Sequence, residues 1–143
     1  MKGCRKALIA VNGSMDVLER GLKLMDDEKC WVTVVKVIPP YEGDLSLVGV
    51  RNIEDVIEGG ASSAISAING VARTERALVK TRLEAGEVDK KIVEVAKEEN
   101  CDIIIMGSKN STKMKWLKKI FSRKIVQKVI THAPCPVLVL GAS

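Results

Sequence analysis

Five short runs of apolar, largely β-branched residues, separated by longer segments of helical period, constrain this chain more than any other feature. They are Ala7-Leu8-Ile9-Ala10-Val11, Trp31-Val32-Thr33-Val34-Val35-Lys36-Val37-Ile38, Ala77-Leu78-Val79-Lys80-Thr81-Arg82-Leu83, Ile103-Ile104-Ile105-Met106 and Val137-Leu138-Val139-Leu140. A continuous apolar run with no polar alternation is a strand buried on both faces, which is the habit of parallel sheets. The third run admits polar residues and suits a sheet edge. Pro39-Pro40 ends the second run, because neither proline can donate to a ladder.

The intervening segments repeat every 3.6 residues or so. Val17, Leu18, Gly21, Leu22 and Met25 predict a first helix over about 14–26, with Asn12-Gly13-Ser14 supplying the turn and N-cap and Asp16 and Glu19 suiting its dipole. After a Gly-containing loop at 41–50, Ile53, Val56, Ile57, Ala61, Ala64, Ile65, Ile68 and Val71 carry a second helix to about Arg73. Gly59-Gly60 weakens it by about 1 kcal/mol per glycine and predicts a kink. Ile92, Val93, Val95 and Ala96 mark a third helix over 88–100; Ile125, Val126, Val129 and Ile130 mark a last one over 122–131, broken by Pro134-Cys135-Pro136. Strand and helix alternate from end to end, which calls for an open five-stranded parallel sheet with helices on both faces and right-handed crossovers. If strand one lies beside strand four, a ligand crevice opens at their carboxyl ends, with Asn12-Gly13-Ser14 and Gly107-Ser108-Lys109 as its lips.

Composition narrows the class. A chain of 143 residues, 46% hydrophobic and 29% charged, reads as one soluble domain spanning 1–143 and burying roughly 70% of its unfolded surface. No apolar run nears the roughly 20 residues of a membrane span, and the stretch after Met1-Lys2-Gly3-Cys4-Arg5-Lys6 is too short for a signal peptide, so the expected location is cytoplasmic. The net charge of +5 raises the question of nucleic acid, but Trp31, Tyr41, Trp116 and Phe121 are too few aromatics for base-stacking platforms. Cys4, Cys30, Cys101 and Cys135 lie 26, 71 and 34 residues apart and His132 is the sole histidine, so a zinc site is excluded and free thiols are expected.

Two stretches then become specific. Asp102-Ile103-Ile104-Ile105-Met106-Gly107-Ser108, followed about 25 residues later by His132-Ala133-Pro134-Cys135-Pro136-Val137-Leu138-Val139, resembles the universal stress protein family, and the five-strand alternation resembles it over essentially the whole chain. The resemblance implies a Rossmann-like sheet of order 3-2-1-4-5, a non-enzymatic stress-response role and a homodimer formed through Val137-Leu138-Val139-Leu140. Nucleotide-binding members carry G-x2-G-x9-G-[ST] after strand four, where glycines admit phosphates to backbone amides. Here Gly107 fills the first position, the second falls near Asn110, and alignment back from Pro136 puts Arg123 at the third glycine, Lys124 at the hydroxyl residue and Val126 at a further hydroxyl position. Asn12 stands where an acidic residue is common, and Val37, Met106 and Ile125 match apolar or backbone-contact positions that would equally serve a core. Ser108 completes the lip after strand four. The resemblance therefore implies a degenerate ATP motif with no cofactor expected, the alternative being an adenine nucleotide held by Arg123 and Lys124.

The positive charge has a location. Lys109, Lys113, Lys115, Lys118, Lys119, Arg123, Lys124 and Lys128 fall in one stretch without an acidic residue, leaving 15 basic and 18 acidic residues elsewhere. Two readings stand: a solvated face, or a site for an anionic ligand or acidic partner, since cations at a helix start oppose its dipole by about 0.3–1 kcal/mol each unless an anion intervenes. Met114, Trp116, Leu117, Ile120 and Phe121 interleave with the lysines, as in segments lying on anionic membranes, but packing on the domain or the dimer partner is the favoured reading, with association with a membrane or transporter through Lys113 to Lys124 the weaker one. For catalysis the sequence offers only a His132–Cys135 pair, and a cysteine between two prolines entering a buried strand reads as packed.

Overall fold

The computed structural model describes residues 5–12, 15–26, 30–38, 53–108 and 121–141, with backbone alone for 53–62. In chain order the elements are β1 (Lys6–Val11), α1 (Asp16–Met25), β2 (Trp31–Ile38), α2 (Ile53–Thr74), β3 (Val79–Ala85), α3 (Val88–Glu98), β4 (Ile103–Ser108), α4 (Arg123–His132) and β5 (Val137–Gly141). The strands form one parallel sheet of order β3-β2-β1-β4-β5. Strand polarity in the sequence marks one edge of this order, β3 with Lys80, Arg82 and Glu84, but not the other, since β5 is as apolar as the inner strands β1 and β4.

Alternation along the strands divides the interior into two layers. Leu8, Ala10, Val35, Val37, Ile104 and Met106 face α3 and α4, where they meet Ile92, Val95, Ala96, Val126 and Val129. Ala7, Ile9, Val11, Val32, Val34, Ile103 and Ile105 face α1 and α2, meeting Leu18, Leu22, Met25 and Ile68. The open, doubly covered sheet read from the sequence is the observed architecture.

Boundaries shift where backbone geometry decides them. The first helix begins at Asp16, not 14; Met15 occupies the N-cap without a side-chain bond, and its carbonyl accepts the Glu19 amide at 3.0 Å, while Ser14 lies outside the described residues. The third strand begins at Val79 rather than Ala77, because Arg76 turns left-handed (φ 55°) and the Ala77 amide still donates to the Ala72 carbonyl at 2.8 Å, closing the end of α2. In the same way α3 stops at Glu98, short of the expected Asn100, whose φ of 53° ends the helix as Cys101 donates to the Ala96 carbonyl. Helix α2 continues unbroken through Gly59-Gly60, and β5 gains Gly141. The loop expected at 41–50 and Cys4 lie outside the described residues; Cys30, Cys101 and Cys135 enter no disulfide among those described.

Asp102 pins the amino ends of the two central strands. Its Oδ2 accepts the amides of Arg5 (2.7 Å) and Lys6 (3.0 Å), and these two bonds hold its carboxyl below the ordinary aspartate range. A depressed folded pKa contributes stability that is fully present above the unfolded value of about 3.9 and is lost as pH falls through the folded value. Asp102→Asn is therefore expected to unfold more easily than wild type at neutral pH. The gap should close as a pH series of denaturant melts descends below about 4; a gap that stays constant with pH would remove this role.

Candidate functional site

The carboxyl ends of β1, β2 and β4 and the start of α4 converge at the topological switch between β1 and β4, where an open α/β sheet binds its ligands. Every residue of β4 is buried, including Gly107 and Ser108, which pair with Leu140 and Gly141 of β5. Ser108 also bridges in parallel to Phe121, itself buried, so the chain at 121 lies against the end of β4 and leads directly into α4. Val37 and Met106 belong to one buried cluster, with Ile125 packed on it, so these three expected site residues serve the core on the α3/α4 side of the sheet.

Helix α4 opens with side chains rather than a glycine cradle. Ser122 is the N-cap, and its Oγ accepts the Ile125 amide at 3.3 Å, engaging one of the orphan N–H groups that an anion would otherwise use. Arg123 and Lys124 are exposed in the first turn, which holds no acidic residue. Val126, aligned with a hydroxyl position, turns inward and is buried, so it offers nothing to a phosphate. Asn110 and the basic positions over 109–119, together with Trp116, lie outside the described residues.

Asn12 ends β1 half-buried, and its Oδ1 accepts from Lys36 Nζ at 3.3 Å. Lys36 sits beside Val11 in the β1–β2 register, and burial pulls its ammonium below the ordinary lysine range. Sequence patterning does not single out Lys36. The one signal it carries is that of a lone cation inside an otherwise apolar strand run, two residues before the strand ends.

The remaining candidates do not join the site. His132 Nδ1 lies 3.0 Å from the Lys128 carbonyl at the far end of α4, on the surface. Burial, followed by the charge of Asp102, pushes the Cys135 thiol up, the direction opposite to an activated nucleophile. Burial pushes Cys101 up to about 12. Among the described residues no cluster of His, Cys, Asp and Glu could hold a metal, and no helix is long and apolar enough to cross a membrane.

The sequence model of the universal stress protein family matches residues 4–141. The chain belongs to this family. A universal stress protein of Methanocaldococcus jannaschii is 28% identical over 146 residues, covering 95% of this chain and 81% of that protein. Among solved structures, the universal stress protein UspA from Lactobacillus plantarum superposes with a TM-score of 0.73 at 20% identity, covering 95% of this chain and 97% of that one. The Archaeoglobus fulgidus universal stress protein solved in complex with dAMP has a TM-score of 0.64 at 23% identity, covering 94% of this chain and 96% of that one. At these identities the likeness to the two structures establishes the shared fold, in agreement with the observed strand order.

Proposed function

We propose that this universal stress protein is a non-enzymatic stress-response module, one domain long and cytoplasmic, that takes an anionic ligand or partner through side-chain cations rather than an ATP phosphate chain through backbone amides. The observation that carries this reading is the start of α4, where Ser122 engages the Ile125 amide and where Arg123 and Lys124 stand in place of a glycine and a hydroxyl residue. An arginine side chain fills the space that a phosphate needs beside a glycine backbone. Two cations against the positive end of a helix dipole are unfavourable by about 0.3–1 kcal/mol each, and an anion lying between them removes that penalty. The raised thiol of Cys135 and the surface position of His132 support a module without catalysis. Pairing of two copies through β5 is supported by its place at the end of the sheet and by its five residues, Val137–Gly141, which are all only half-buried.

A second reading, an adenine nucleotide held by Arg123 and Lys124, is favoured by the dAMP in the Archaeoglobus relative. One purified sample separates the two. We expect no adenine released when the protein is denatured, no heat from micromolar ATP in calorimetry, and a light-scattering mass twice the 15.6 kDa of the chain. ATP binding in the micromolar range that vanishes in Arg123→Ala would establish the second reading, and a monomeric mass would remove the dimer.

A further inference from the structure

Lys36 occupies an unusual position for a lysine. It pairs with Val11 across a parallel ladder, between Val35 and Val37, both buried in the α3/α4 layer. By strand alternation it shares the side of Val32 and Val34, the α1/α2 layer, and its stem is sunk far enough that burial is the resolved cause of its lowered pKa. A lysine at a strand end ordinarily snorkels its ammonium into water or meets a carboxylate. Here the ammonium lies 3.3 Å from Asn12 Oδ1, and among the described residues no carboxylate forms an ion pair with it. Asn12 is the residue that an acidic side chain commonly replaces in nucleotide-binding relatives. The amide oxygen of Asn12 orients the ammonium without itself supplying a counter-charge.

The inference rests on the reading of this crevice as an anion site and adds a group on the opposite lip from α4. We propose that Lys36, oriented by Asn12, binds a phosphoryl oxyanion of the ligand at the carboxyl ends of β1 and β2. A compact ammonium serves phosphate as a point charge, whereas a planar carboxylate is better matched by a guanidinium fork. Asn12 engages Lys36 through its oxygen, and the same side chain carries two N–H donors of the kind an oxyanion accepts from. The partial dehydration of Lys36 strengthens the attraction over that of a fully hydrated lysine such as those on the outer face of α3.

Competitive acetylation with acetic anhydride, read lysine by lysine by peptide mass spectrometry, tests the assignment on the full chain. Inorganic pyrophosphate is the probe, chloride of equal ionic strength the control, and exposed Lys97 the internal reference. We expect saturating pyrophosphate to slow labelling of Lys36 roughly tenfold relative to Lys97, the scale of a charged hydrogen bond. Asn12→Asp, which supplies a competing carboxylate without deleting the lysine, should abolish that protection, and Lys36→Met should weaken pyrophosphate binding in calorimetry roughly tenfold. Protection of Lys124 without protection of Lys36 overturns this assignment and leaves the α4 anion site standing. Protection of Lys36 alone upholds it and removes Lys124 from the site. Protection of neither overturns both, as does undiminished Lys36 protection in Asn12→Asp for the pairing with Asn12.

Discussion

Ile105→Ala is expected to lower the unfolding free energy by about 2–5 kcal/mol, toward the upper end of that range. Ile105 is fully buried in β4, paired with Ile9 of β1 on one side and Leu138 of β5 on the other. Above it α1 sits close, because Gly21 brings no side chain: a Cβ built there would stand 3.0 Å from Ile9 Cδ1 and 3.5 Å from Ile105 Cγ2. The neighbours are held by ladder hydrogen bonds on both edges of the strand, so they cannot collapse into the vacated volume, and the cavity term adds to the lost transfer energy. For a domain whose whole stability is about 5–15 kcal/mol this is a large share. Guanidinium melts should show the midpoint falling with an unchanged slope, since the extent of surface exposed on unfolding is the same. Ile105→Val should cost only about 0.5–1.5 kcal/mol. Leu78→Ala, at a residue 89% exposed before β3, should stay within about 0.5 kcal/mol of wild type. An Ile105→Ala loss below about 1 kcal/mol would contradict the central place of β4, since only a poorly packed site gives so little.

The same contrast between interior and surface explains what is legible in the sequence. A strand covered on both faces carries few polar residues, so the apolar runs at 7–11 and 103–106, alternating with segments of helical period, point to a parallel sheet. Even the order has a local trace, since polar Lys80, Arg82 and Glu84 mark an edge; there Arg82 lies 2.7 Å from Glu98 and 3.3 Å from both Glu84 and Glu99, so ion pairs tie this edge strand to the end of α3. Element ends are less legible, because Arg76 and Asn100 end their helices through a left-handed backbone rather than through a glycine that composition would flag. The crevice divides along a similar line. The core positions Val37, Met106 and Ile125 and the Ser122 cap follow from periodicity and capping chemistry, whereas Lys36 does not stand out: one cation in a strand is ordinary until its contact with Asn12 across the β1–β2 pair is known. That contact is non-local, 24 residues apart in sequence, and no spacing rule encodes it.

Phe121→Ala is the substitution in which fold and site fail together. Phe121 is 4% exposed and lies in the cluster with Met106, Val126 and Val129, so its truncation should cost about 3–5 kcal/mol. Its position gives the loss a second consequence. The bridge between Ser108 and Phe121 fixes the chain at the residue before the N-cap, and Ser122, Arg123 and Lys124 follow at once. A hydrophobic residue ahead of the N-cap sets the angle at which a helix enters. Without the ring, the first turn of α4 loses its anchor to β4, and the two cations lose their fixed relation to the Gly107-Ser108 lip. We expect pyrophosphate protection of Lys124 to fall in Phe121→Ala even at temperatures where circular dichroism shows the protein fully folded. Phe121→Leu, which keeps an apolar anchor, should recover most of both stability and protection. Restored stability in the leucine variant without restored protection would mean that the aromatic ring itself shapes the site. Unchanged Lys124 protection in a folded Phe121→Ala would show that α4 is placed by Val126 and Val129 alone, and the anchoring role of the Ser108–Phe121 bridge would fall.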